Sequence, residues 1–128
     1  MNRFQNISKD ELVERAKELE CLYLIEEVLA EDPPADSLIK ITSIIPRGFR
    51  NPADCQAMIE LDGQVYNRKP DANVDELSSP IIVYGKNRGF IKVMYPKNTF
   101  PAGDIIFLEQ EIRLLDTIAK RISEKIEK

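Results

Sequence analysis

The residues that could do chemistry are few, and their spacing argues against catalysis. Two cysteines, Cys21 and Cys55, lie far apart in a chain of 128 residues and neither forms a CxxC pair, so no metal-site or thioredoxin-like spacing exists. Cys21 falls in a helical pattern, and the chain has no histidine to activate it. Cys55 alternates inward on a strand, where apolar surroundings raise a thiol's pKa and leave it inert. Without imidazole the chain also lacks the usual zinc and haem ligand. Asp71 and Asp75 are four apart in a polar stretch, which reads as turn composition before it reads as an acid pair. Gly85 and Gly89 flank a turn without the GxxxxGK or GxGxxG spacing that cradles phosphate. The expectation is therefore no enzyme, no metal and no cofactor, with two buried thiols in a reducing cytoplasm.

Composition narrows the class further. With 43% apolar residues the chain fits one globular domain spanning 1–128. Its net charge of −4 is uneven, with an acidic N-terminal third and a mildly basic middle, too weak a contrast to predict nucleic-acid binding. No run approaches the length of a membrane span, so no membrane partner is expected.

The elements that must position these residues follow from periodicity. Residues 1–8 read as a tail. Ser8 and Glu11 have capping-box spacing with Ile7 and Leu12 as a staple, which starts a first helix at Lys9 and runs it over 9–31. Asp32-Pro33-Pro34 stops it and begins a second, with Leu38, Ile41, Ile44 and Ile45 as its apolar face and Pro46-Arg47-Gly48 as its end. From 53 to 66 the period changes to two, and Asp62-Gly63 marks a hairpin. The stretch 67–79 reads as a loop. Pro80–Tyr84 and Phe90–Tyr95 read as a second hairpin joined through 85–89, and a last helix is expected over 104–127. The order ααββββα predicts an α/β fold of the α+β type, an antiparallel sheet covered by the N- and C-terminal helices.

The terminal helices carry more apolar surface than one core needs. In the last helix Leu108, Ile112, Leu115, Ala119, Ile122 and Ile126 recur at alternating steps of four and three, an a/d seam, and Phe107, Leu114 and Ile118 add a second stripe. In the first helix Leu12, Ala16, Leu19 and Tyr23 repeat the same spacing. Together these ten seam positions predict a homodimer with four helices at its interface; the competing expectation is a seam that only joins the two helices within one chain.

Several short stretches resemble a family. Glu20-Cys21-Leu22-Tyr23, Ile44-Ile45-Pro46-Arg47-Gly48-Phe49 with Asn51-Pro52, Cys55-Gln56-Ala57, and Phe107-Leu108-Glu109 before Leu114-Leu115 and Ile118-Ala119 resemble a compact GAF-like sensor domain. Relatives of that kind stand upstream of histidine kinases and other signalling output domains. The resemblance implies a sensory or regulatory module whose terminal helices pair, with a signalling protein as partner. It also implies a ligand site on the sheet face away from the helices. There Phe49, Arg50, Tyr66, Arg68 and Lys69 would offer aromatic surface and cations to a small anion. The middle segment lacks the cysteine or histidine of tetrapyrrole-binding relatives. A structural dimerisation module without ligand is the alternative.

Overall fold

The computed structural model describes residues 9–31, 34–68 and 73–127. The tail 1–8 with Ile7 and Ser8, the Asp32-Pro33 stop, Lys69 and Asp71 lie outside the described residues. Helix α1 runs Lys9–Glu31 and α2 Pro34–Ile44, continued by a 3-10 turn over Ile45–Gly48. Strands β1 (Gln56–Leu61), β2 (Gln64–Tyr66), β3 (Val74–Val83) and β4 (Lys86–Pro96) follow, and α3 (Glu109–Glu127) closes the chain. The architecture is α+β in the expected order ααββββα.

The four strands form one antiparallel sheet in the order β2-β1-β4-β3. Strand alternation decides its faces. Ala57, Ile59 and Leu61 of β1, Ile91, Val93 and Tyr95 of β4, and Ile81 and Val83 of β3 all enter the core. The helices cover that face: α2 lies over β1 and β2, α3 over β3 and β4, and α1 packs on α2, the 3-10 turn and α3. Cys21, Ile25 and Leu29 of α1 complete the same core cluster.

Three boundaries differ from the sequence expectation. Residues 74–79 are strand, not loop, because β3 pairs with β4 along its whole length, from Val74 opposite Pro96 to Val83 opposite Lys86. The turn between them is two residues, Tyr84-Gly85, with φ of 48° and 77°, and not the five residues 85–89. A two-residue loop with both φ positive has the twist that flanking strands need. Tyr84 is held in that strained region because its N–H donates to Glu127 Oε2 at 3.0 Å and its hydroxyl donates to the Glu127 carbonyl. The last helix begins at Glu109, not at 104, for a reason that belongs to the site below.

The outer face of the sheet carries no helix among the described residues. Its middle row reads Met58, Lys92 and Ser78 across three strands, with Gln56, Met94 and Glu76 on one side and Glu60, Phe90 and Pro80 on the other. Lys92 ion-pairs with Glu76 at 2.9 Å and lies 5.3 Å from the Phe90 ring centre. Met58 and Met94 are buried between these neighbours.

Candidate functional site

The segment after the 3-10 turn is where the two terminal helices and the sheet end meet. Gly48 permits the close approach: a Cβ there would stand 2.6 Å from Leu114 Cδ2 and 3.1 Å from Cys21 Cβ. Phe49 follows into the core, edge-on to Phe107 with ring centres 6.4 Å apart. Phe107 in turn stacks at 5.6 Å on Tyr95, and Phe100 meets Tyr95 edge-on at 4.9 Å.

A polar clasp closes over this aromatic group. The Arg50 N–H donates to Glu111 Oε2 at 2.6 Å, and the Leu108 N–H donates to Glu111 Oε1 at 2.8 Å. Glu111 is fully buried. Three residues into the helix pattern, it turns back to satisfy a free N–H at the start of α3, which is why the helix begins where it does. The Arg50 guanidinium lies 4.3 Å from the centre of the Phe100 ring and donates through Nη2 to the carbonyls of Ile105 and Ile106 at 2.6 and 3.0 Å. From α1, Lys17 Nζ donates to Glu14 Oε1 at 3.0 Å and to the Arg50 carbonyl at 3.4 Å. Burial lifts the Glu111 carboxyl above its ordinary pKa, against the pull of its two N–H donors. Glu18 is raised too, by burial first and then by the charges of Glu111 and Glu14. Apart from the Lys17–Glu14 ion pair, every hydrogen bond here joins a side chain to backbone, so the clasp positions α1, the 50–52 segment and α3.

The thiols are equally committed to structure. Cys21 is buried, with its Sγ 3.7 Å from the Ile44 carbonyl, and burial pushes its pKa up to about 12. Burial likewise pushes the Cys55 thiol up to about 12.

Of the five residues assigned to an anion pocket, Lys69 lies outside the described residues and the other four do not converge on one pocket. Phe49 is core and Arg50 is in the clasp. Tyr66 is half-buried on the helix-covered side, opposite Ile59, and Arg68 is exposed. The outer sheet face expected to hold them is filled by Met58 and Met94 instead. Asp75, paired in the sequence with Asp71, forms an ion pair with Lys97 at 2.6 Å. Among the described residues no group of three or more acidic or cysteine side chains could hold a metal ion.

The ten seam positions divide. Leu115, Ala119 and Ile122 are 0%, 2% and 1% exposed inside the single-chain core, so they cannot line a contact between subunits; the sheet face of α3 needs them. Leu108 and Ile126 are half-buried and Ile112 is exposed. The α1 stripe behaves differently. Leu12, Leu19 and Tyr23 are 53%, 69% and 63% exposed, with Ala16 exposed between them. This outward stripe lies opposite the buried Cys21. Beside it runs a groove of about 670 Å³ lined by Arg15, Leu19 and Leu22 of α1 and by Arg113, Leu114 and Thr117 of α3. The groove sets the first halves of both helices side by side, and Arg121 pairs with Glu26 at 2.9 Å further on, so α1 and α3 run parallel.

Sequence reading missed Glu111 and Tyr95. The signal for Glu111 was its spacing of three from Leu108, hidden because leucine is not a side-chain cap. No helix among the described residues is long and apolar enough to cross a membrane. No family model, no curated protein and no solved structure matches the chain.

Proposed function

We propose that this is a non-catalytic, GAF-like regulatory domain whose partner is another protein surface, met by the outward stripe of α1. The observation that carries the reading is that α1 is apolar on two sides, with Cys21, Ile25 and Leu29 in the core and Leu12, Leu19 and Tyr23 in solvent. A helix already anchored on one side gains nothing for its own fold from large apolar residues on the other. Because α1 and α3 lie parallel and share the Arg50–Glu111 clasp, a partner that shifts α1 biases the packing of α3 as well. That is regulation by population shift, without chemistry. Two unpaired buried thiols suit a reducing, cytoplasmic setting.

Sedimentation equilibrium tests the reading. Wild-type protein at tens of micromolar is expected to associate, and Leu19→Glu to be monomeric with an unchanged circular dichroism spectrum. A monomeric wild type overturns self-association as the function of this stripe. A second reading, a dimerisation module with no ligand at all, draws on Met58 and Met94 filling the outer sheet face. A thermal-shift screen of small anions and metabolites separates this module from a regulatory domain that takes a small ligand as well as a protein partner, since a ligand at one hundred times its dissociation constant stabilises by about 2.7 kcal/mol. Silence across a broad set favours the ligand-free module.

A further inference from the structure

We infer that the occupant of the α1 stripe is a second copy of this chain, paired parallel and in register, with Arg15 of each copy facing the partner's Glu20. The inference rests on the association reading above and adds its geometry. Leu12, Ala16, Leu19 and Tyr23 follow steps of four, three and four, so Leu12 and Leu19 occupy d positions and Ala16 and Tyr23 occupy a positions of a heptad seam. In that frame the fully buried Cys21 falls at f, directly away from the seam, so the fold of the chain and the heptad agree on which side faces out. Ala16 at an a position lets the two backbones approach closely.

Polarity follows from the flanks. Arg15 falls at g and Glu20 at e; both are exposed, and neither forms an ion pair within the chain among the described residues. In a parallel pair each g residue meets the e residue five positions further along the partner, which joins Arg15 to Glu20 twice across the dimer. In an antiparallel pair g meets g and e meets e. Arg15 would then face Leu22 and Glu20 would face Val13, leaving both charges against apolar side chains. The groove between α1 and α3 supports the same arrangement, because it opens on the g flank, where the partner's Val13 and Glu20 would enter between Arg15, Arg113 and Leu22. The seam ends after Tyr23, since Glu26 at the next d position is held by Arg121 of its own chain. Parallel pairing of α1, with α3 parallel to it, sets the C-terminal ends of both α3 helices at one end of the dimer.

Cysteine cross-linking and charge reversal test this on the whole chain. Leu19→Cys is expected to form a disulfide-linked dimer in oxidising buffer, because a d residue meets its own copy only in the parallel register; Cys21 and Cys55 are buried and do not compete. Arg15→Glu and Glu20→Arg are each expected to raise the dimer dissociation constant about tenfold, since two attractions become two repulsions. The double reversal is expected to restore it to within about twofold. If Leu19→Cys alone gives no cross-link while a mixture of Ala16→Cys and Leu19→Cys chains does, the pair is antiparallel and this inference fails with association intact. If the reversals do not rescue one another, the Arg15–Glu20 contact is overturned. A wild type that never associates removes the reading on which both stand.

Discussion

Glu111 has no water to solvate its charge and accepts two backbone N–H bonds in place of it. Glutamine has nearly the same shape but only one acceptor oxygen, so Glu111→Gln turns an amide N–H₂ towards one of the two donors. The expected cost is about 1–3 kcal/mol, read from urea denaturation at neutral pH. The pH dependence has a definite sign. Because burial raises the folded-state pKa of Glu111 above its unfolded value, the folded protein binds the proton more tightly. The contribution is fully present below the unfolded pKa and is lost as pH rises through the folded one. The stability difference between wild type and Glu111→Gln should therefore be larger near pH 4 than near pH 7; a difference that shrinks on acidification contradicts the burial argument. At the same scale, Cys21 and Cys55, with pKa values pushed up to about 12, should resist thiol reagents in the native state and react promptly once unfolded. Rapid native labelling of either contradicts their burial. The cysteines were legible from the sequence because an inward alternation and a helical pattern are local. Glu111 was not, since its partners at Arg50 and Leu108 come together only when the helix start docks on the 3-10 turn.

Among the elements, the strands show how far local pattern carries. The Asp62-Gly63 hairpin was legible because its turn chemistry is contained in two residues. Strand β3 was half-hidden: Val74-Asp75-Glu76-Leu77-Ser78-Ser79 is polar because an edge strand with one covered face needs apolar residues only on alternate positions, and Ser79 meets that need by donating to Asp116 of α3 at 2.6 Å. The β1–β4 pairing makes a demand of its own. Gly89 sits opposite Leu61, and a Cβ there would lie 1.9 Å from the Glu60 carbonyl oxygen. Backbone cannot yield as a side-chain tip can, so Gly89→Ala should cost at least about 3 kcal/mol, measured from the urea midpoint. A neutral result would mean that the two central strands separate more freely than their register implies.

For the whole molecule, the question is which apolar stripe belongs to the fold and which to a partner. A heptad repeat alone cannot say, because a helix on a sheet and a helix on a second copy use the same spacing, and the sequence of α3 reads as well for either. The three-dimensional answer assigns Ile122 to the core and Leu19 to the surface. The two positions therefore respond to the same substitution in opposite ways. Ile122→Glu buries an unpaired charge between α3 and the sheet, at a cost of roughly 4 kcal/mol or more against a total stability of about 5–15 kcal/mol, and should shift the urea midpoint sharply or leave the chain unfolded. Leu19→Glu places its charge in water within one chain and should change monomer stability by no more than about 0.5 kcal/mol, while abolishing association. Urea unfolding followed at low protein concentration, together with sedimentation of the same two variants, gives both readouts. An Ile122→Glu protein that stays folded as a monomer would return that residue to a contact between subunits and undo the division of α1 and α3 into a partner face and a core face.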